Sequence, residues 1–525
     1  MRRRSSRWWT GIVAAVVLWA VAGAAGALAQ RQVTVVGAVS ADWRTMDPAR
    51  AYEPYGAFIL NVVYDTLVGM NPQDGSIYPK LATDWTVSAD GTVYTFTLRD
   101  GVRFSTGKEL TAADVAFSFR RLKNLKGNPS FLAANIKDVQ AVDDKTVVIT
   151  LEQPEGAFLT KLSEPTFGVV DSEAVRAQGG TDAENAAEVD SATPWLDQNS
   201  VGSGPYVLRS WVLKDQLVLE RNPYYWGEPP QVDRFIFREV EDPNAQALQL
   251  LVGDVDLAFA LTADQLPMLE GSRDVKVIDG PGLYIVFLLM NQNPEIGGPM
   301  ANEKVRQAVR AALDYQGLAE LFGAGSLTPH SFIQVGFAGA LPPGRERDLD
   351  RARQLLAEAG YPNGFSVELE VPTLIVSGVD LVTAAQKVQQ DLAEVGIRVT
   401  LRPGEVGVSL GRYRDGLQGF SLWYWGPDYP DPATQLAFLP GELVGLRAQW
   451  TAEHDPELHR LGQEAIVESD PQRRNELLAE IQRRTHDYGP WAIMLQMGRM
   501  TGARSNIDAA FHPRYGVDLT TVVKH

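Results

Sequence analysis

Three aromatic residues run directly into two carboxylates in the stretch Trp423-Tyr424-Trp425-Gly426-Pro427-Asp428-Tyr429-Pro430-Asp431-Pro432. The alternation of Phe420, Leu422 and Tyr424 with Ser421, Trp423 and Trp425 predicts a strand, because side chains alternate faces with a period of two. Gly426 and Pro427 end it. A strand that stops on Gly-Pro presents the next side chains at a cleft rather than in a core. There, an aspartate framed by Trp and Tyr can hold a cationic group with its carboxylate and an apolar neighbour with the rings. The same residue types also suit a surface turn with two solvated aspartates, and composition alone favours that reading.

Catalytic and metal chemistry find little support. The six histidines are His330, His454, His459, His486, His512 and His525. His454 and His459 stand five apart, off the four-residue spacing that puts two ligands on one helix face. There is no cysteine, which excludes thiolate metal sites and cysteine nucleophiles. No G-x-S-x-G, Walker or H-E-x-x-H pattern occurs, and Gly323-Ala324-Gly325 lacks the lysine of a phosphate loop. Neither a metal nor a cofactor is expected.

The chain starts Met1-Arg2-Arg3-Arg4-Ser5-Ser6-Arg7 and continues with an uncharged apolar run from Trp8 to about Leu28. The run closes on Ala27-Leu28-Ala29. A basic start, an apolar middle and an Ala-x-Ala end predict a cleavable signal peptide over residues 1–29 and export to the periplasm. Without cysteine there is no acyl anchor. Removing that segment removes four arginines and takes the net charge from −17 to −21. So acidic a chain argues against nucleic acid or an anionic membrane as partner. A remaining length of about 496 residues exceeds what one core supports, so two or three domains are expected.

A short strand is expected over Val33–Val36 and a helix over Ala57–Leu67, with the loop Tyr52-Glu53-Pro54-Tyr55-Gly56 before it. Asp90-Gly91 predicts a two-residue hairpin turn, followed by Tyr94, Phe96 and Leu98 on one face. Thr111-Ala112-Ala113-Asp114 is a capping box before a helix with the stripe Val115, Phe119, Leu122. Gly179–Ser200 carries no period and is expected to be a loop. Asp242-Pro243, Asn302, Asp348 and Asp470-Pro471 open helices. Gly253, Gly360 and Gly396 close helices. Tyr284–Met290 is a continuous apolar run and predicts a buried strand, and Trp491–Leu495 is expected to be the last strand. Helix-Gly-strand alternation in the later part implies an α/β domain.

Several of these segments, taken together and in order, resemble the signature of family 5 extracellular solute-binding proteins, the dipeptide-, oligopeptide- and nickel-type receptors of ABC importers. They are Pro79-Lys80-Leu81-Ala82-Thr83-Asp84-Trp85, Leu98-Arg99-Asp100-Gly101-Val102-Arg103-Phe104 and Leu110-Thr111-Ala112-Ala113-Asp114-Val115. Gly204-Pro205-Tyr206, Arg221-Asn222-Pro223-Tyr224-Tyr225-Trp226-Gly227, Gly253-Asp254-Val255-Asp256, Val305-Arg306-Gln307-Ala308-Val309 and Leu355-Leu356-Ala357-Glu358-Ala359-Gly360-Tyr361 are similar to later family segments.

The resemblance implies a two-lobed α/β fold of the periplasmic-binding-protein (Venus-flytrap) type, with an extra α+β domain inserted in the first lobe. Carried over, residues 30–70, 198–288 and 488–525 form the first lobe, 71–197 the inserted domain and 289–487 the second lobe, with a hinge near Met290 and His486. It further implies that Asp428 pairs with the α-ammonium of a peptide ligand, with Trp425 as a pocket wall and Tyr429 beside it. Trp423, Tyr55 and Glu53 are further candidate ligand contacts, and Asp431 is expected to shape the loop. No arginine is assigned to the ligand's carboxylate. The implied function is a non-enzymatic, monomeric receptor that captures a small peptide and delivers it to an ABC permease. The cluster Trp423, Tyr424 and Trp425 is also compatible with an oligosaccharide. A secreted hydrolase would need a nucleophile–base pair that the chain does not display.

Overall fold

Two long antiparallel strands, Val275–Met290 and Trp491–Arg504, form the spine of a ten-stranded sheet. They are seen in a computed structural model that describes residues 32–525 apart from residue 42. The signal segment expected over 1–29 lies outside the described residues. On one side of the spine stand Phe420–Trp425, Phe365–Pro372 and Ile397–Gly404. On the other stand Leu257–Ala258, Thr34–Val39, Arg234–Glu239, Gln216–Arg221 and Tyr206–Val212. Thr34–Val39 pairs in parallel with both of its neighbours, and Phe365–Pro372 does the same, as expected for strands joined by helical crossovers.

The spine strands pair regularly from Val275↔Arg504 to Pro281↔Gly498 and again from Ile285↔Gln496. Between the two runs, Gly282, Leu283 and Tyr284 lie opposite Met497 alone, a bulge of the kind that bends a sheet. The chain passes from one core to another here: Ile278 and Ala503 pack with the cluster of Phe58 and Phe235, Val286 and Met497 with that of Leu288 and Leu422. Gln496 is fully buried and secures the bulge: its Nε2 donates to Gly282 O at 2.7 Å and its Oε1 accepts from Val335 N at 2.8 Å. Gly498 is required by close approach, since a Cβ there would sit 2.0 Å from Ala324 O. The passage is therefore not near Met290 and His486. Met290 is fully buried in the second lobe, and its N–H donates to Pro490 O.

The second lobe buries both faces of its part of the sheet. Val286, Leu288, Met290, Phe420 and Leu422 pack under the helices Glu303–Ala312, Leu349–Glu358 and Leu381–Ala393. Ile285, Phe287, Leu289 and Trp423 face the opposite way, onto Phe438, Trp450 and the helix Pro471–Thr485. A separate antiparallel sheet takes its strands in the order Ala82–Val87, Val93–Leu98, Thr146–Leu151, Ile136–Ala141 and packs on the helix Ala112–Asn124. Tyr94, Phe96 and Leu98 are buried on one face of it, as their spacing predicts. Arg121 of that helix is 1% exposed and binds both Asp47 and Asp190 by ion pairs, which ties this unit to the first lobe.

Local differences from expectation have local causes. The hairpin after Val87 closes on Ser88 and Val93 with four residues between them, because Asp90 collects the Ser88 and Thr92 hydroxyls and organises a longer loop. The first helix is Pro54–Val63, so Tyr55 lies in its first turn; Pro54, whose fixed φ suits the first helical position, starts it early. The expected loop 179–200 carries the short helices Ala186–Val189 and Thr193–Leu196. The helices opened by Asp242, Asn302, Asp348 and Asp470 each have that side chain accepting a backbone N–H in the first turn. Among the described residues no helix is long and apolar enough to cross a membrane.

Candidate functional site

A cavity of about 520 Å³ opens at the passage between the lobes. Its floor is the spine bulge, with Leu283, Tyr284, Met497 and Arg499 among its lining residues. The first lobe supplies Tyr52, Glu53 and Tyr55 from the entry to the first helix. Gly426, Pro427 and Asp428 close it from the second lobe. Of the residues singled out in the sequence, Glu53, Tyr55 and Asp428 thus come together on one cavity.

Asp428 is exposed and has its carboxylate at the rim. The Tyr52 hydroxyl, on the opposite lobe, donates to its Oδ1 at 2.6 Å. Burial first, then the bond to this carboxylate, pushes the Tyr52 phenol up, so it stays a donor at any working pH. Arg514 donates to the backbone O of Asp428 at 3.2 Å and forms an ion pair with the buried Glu164. Burial opposes the charge on Arg514, but Glu164 outweighs it and holds the guanidinium's pKa above its ordinary value. That cation is therefore committed. Glu53 accepts the Tyr52 N–H at 3.2 Å and lies 3.6 Å from the exposed Arg44.

Arg499 is different. It lines the cavity half-buried, with its guanidinium 5.9 Å from the centre of the Tyr55 ring. Among the described residues it makes no ion pair, and its buried Nε–H meets no acceptor. The cavity therefore presents a carboxylate from one lobe and an uncommitted guanidinium beside the hinge. Sequence reasoning missed Arg499, Arg514, Glu164 and Tyr284. The signal for Arg499 is weak: the one charge between Trp491 and Ala503 in a mostly apolar strand.

The structure does not bring the remaining three candidates to this cavity. Trp423 is 4% exposed, stacks on Tyr413 at 4.6 Å and donates to Gln418 Oε1 at 2.7 Å. Trp425 points to the same face, edge-on to Phe438 at 5.8 Å. Both are out of phase with the side of the strand that continues into the cleft. Tyr429 turns to the core of the separate antiparallel sheet, under Lys161 at 5.1 Å. Asp431 is buried in a two-pronged ion pair with Arg474, with bonds of 2.9 and 2.6 Å, and accepts the Thr160 hydroxyl at 3.1 Å. It also caps the turn through Ala433 N, so it does shape the loop, but as part of a buried network.

The two-lobed fold with a cavity at the hinge defines a solute-binding protein. The family model described as bacterial extracellular solute-binding proteins, family 5 Middle, matches residues 76–442, and the chain belongs to that family. It is 29% identical over 496 residues to the glutathione-binding protein GsiB of Salmonella typhi, covering 91% of each chain. HbpA2 from Haemophilus parasuis has a similar fold, with a TM-score of 0.81 at 24% identity over 94% of this chain and 100% of that one. DppA from Helicobacter pylori, in complex with the peptide STSA, superposes with a TM-score of 0.67 at 25% identity over 94% and 99% of the two chains.

Proposed function

We propose that the protein is the periplasmic receptor of an ABC importer and that its solute is a short zwitterionic peptide, of the size range of a dipeptide to glutathione. The single observation that carries this is the cavity's charge pair: an exposed carboxylate on Asp428 and an uncommitted guanidinium on Arg499, on the walls of one hinge cavity. Asp428 receives the ammonium and Arg499 the carboxylate, while Tyr55 and Tyr284 cover the apolar part. Trp425 and Tyr429 pack against different cores on either side of Asp428 rather than touch the solute. The relative named for glutathione and the DppA structure with bound peptide support the same ligand class. The saccharide reading rested on Trp423, Tyr424 and Trp425; the rings of Trp423 and Trp425 face the core, and of the three Tyr424 alone shares the face of Tyr284.

The lobes close about the bulge at Gly282–Tyr284 and Met497. With the passage at this bulge, the first lobe takes residues 30–70, 198–281 and 498–525, the second lobe 285–496, and 71–197 is inserted; cleavage after residue 29, a monomeric receptor and delivery to a permease go with this reading. No catalytic step is part of it.

Calorimetric titration of glutathione and a panel of di- and tripeptides tests the reading. Asp428→Asn removes only the charge, and once the lobes close over the solute its ammonium is left buried and unpaired, which costs about 2–5 kcal/mol, a loss of about 30- to several-thousand-fold in affinity. Amidating the peptide's C-terminus should cost the wild type what Arg499→Gln costs. Unchanged affinity in Asp428→Asn refutes the assignment.

A further inference from the structure

A second cavity, of about 270 Å³, lies in the second lobe and shares no lining residue with the hinge cavity. Its walls bring three guanidinium groups together from two chain segments. Arg310 ends the helix Glu303–Ala312, Arg345 lies before the helix Leu349–Glu358, and Arg351 is in that helix's first turn. His486 and Asp487, just past the helix Pro471–Thr485, complete the rim. In a chain with 65 acidic residues against 48 basic ones, this concentration of cations runs against the overall charge.

Arg310 is committed: its Nη1 donates to Gly489 O at 2.9 Å and Trp491 O at 3.0 Å, and its Nη2 to Glu303 and to Asp487 O. Arg345 donates to Asp487 and to the backbone O of His330 and His486 but keeps an Nη1 proton free, and among the described residues Arg351 keeps all its donors. The Arg310 side chain is 2% exposed and that of Arg345 6% exposed. Each is buried with an Nε–H that meets no acceptor, and His330 Nε2 nearby is also unpartnered. Arg351 is exposed and, among the described residues, makes no side-chain hydrogen bond or ion pair. Of the carboxylates, Glu303 is shared between Arg306 and Arg310. Glu346 is exposed at the rim and makes no ion pair among the described residues. Asp487, 71% exposed, reaches Arg345 at 3.3 Å and is its one carboxylate partner among the described residues. Burial, and then the neighbouring Arg345 and Arg306, hold the Arg310 pKa below its ordinary value against the pull of Glu303. The cluster thus has more cationic character than its own acids neutralise. Buried donors left unpaired are costly, and guanidinium forks match tetrahedral oxyanions in pairs of parallel bonds.

We propose that this pocket is a second ligand site, in which Arg345 and Arg351 hold a tetrahedral oxyanion, phosphate or sulfate, with Arg310 as a buried cation behind them. Asp487 occupies Arg345 when no anion is present and swings out into solvent when one arrives.

The test is titration calorimetry and thermal unfolding of the full protein with sodium phosphate and with sodium sulfate, each against sodium chloride at equal ionic strength. Saturable binding of either anion, with a rise in the unfolding temperature beyond the chloride control, supports the site. Response to both means that tetrahedral geometry suffices, and response to phosphate alone means that the site also uses the anion's remaining proton. Arg345→Gln should weaken binding at least tenfold. Arg351→Gln, at an exposed position that leaves the fold intact, should weaken it several-fold. Asp487→Asn should tighten it by removing the competing carboxylate, and Arg499→Gln should leave it unchanged. The proposal is overturned if neither anion acts beyond chloride. It also fails if binding survives Arg351→Gln at full strength, or if Arg499→Gln abolishes it, which would locate the anion in the hinge cavity.

Discussion

Replacing Asp431 by asparagine should destabilise the second lobe severely while harming ligand affinity less than Asp428→Asn, three residues earlier. Asp431 is 2% exposed and binds Arg474 through both oxygens. The same carboxylate accepts from Ala433 N and from the Thr160 hydroxyl, while Arg474 Nε donates to Ala465 O at 3.1 Å. An asparagine turns one of its two acceptors into an N–H₂ aimed at a buried guanidinium. Leaving one member of a buried pair uncompensated costs about 3–5 kcal/mol. For a unit of 150–250 residues that is about 6–20 °C in the unfolding temperature. Arg474→Met strands the carboxylate and should cost a similar amount. The double variant Asp431→Asn/Arg474→Met strands neither, so it should be far less damaged than the sum of the two, which scanning calorimetry on the four proteins would measure. The pH dependence has a definite sign. Burial pushes the Asp431 carboxyl up, but Arg474 and the hydrogen bonds outweigh it and hold the pKa below the ordinary 3.8. The pair's contribution is therefore complete above that value and is lost as the pH falls through the folded-state pKa. The penalty of Asp431→Asn should accordingly shrink in acid. Single variants each within about 1 kcal/mol of wild type, or strictly additive effects, would show that the ion pair does not hold this corner.

Three further outcomes are expected. Tyr52→Phe deletes one hydrogen bond across the cleft and should weaken peptide binding by about 2- to 10-fold, read by calorimetry; no change would mean that the bond is absent in the bound state. His512 accepts backbone N–H groups of Arg514 and Tyr515 on Nδ1, and burial first, then the Arg514 and Arg499 charges, lower its pKa to about 4 despite Asp518. The unfolded chain takes up that proton first, so stability should fall as the pH drops from about 6.5 towards 4, and His512→Gln should flatten this slope in thermal unfolding. Gly498→Ala places a Cβ against backbone at Ala324 and Ser326 and should lower stability by about 1–3 kcal/mol by denaturant titration; a neutral outcome would mean that the bulge yields.

Helix starts were legible because each is written in adjacent residues. Asp242, Asn302, Asp348 and Asp470 are short polar side chains placed to accept first-turn N–H groups, and the structure uses each of them so. The family segments made the two-lobed fold legible as well. The passage between the lobes was not, because it depends on the register of two strands more than 200 residues apart. Nothing adjacent to Gly282 states that Met497 will face three residues instead of one. The charge partners Glu164 and Arg514 are 350 residues apart in the chain and meet only after folding.

The site residues follow from the phase of the strands rather than from proximity along the chain. Tyr424 shares a face with Phe420 and Leu422, and Tyr284 with Val286, Leu288 and Met290. The Tyr284 and Tyr424 rings lie 6.1 Å apart on that face. Within the second lobe the face is covered by helices, and those residues are core. Towards the bulge the covering helices end, and the same face becomes the cleft. Met497 belongs to the core cluster and also lines the cavity, and Arg499, two residues on, is in phase with it and meets open space. Trp423 and Trp425, although next to Asp428 in sequence, have the opposite phase and fill the other core. The cleft is thus the uncovered continuation of one core face, and a cationic side chain in phase with that face just past its last helix is where a solute's carboxylate should be received.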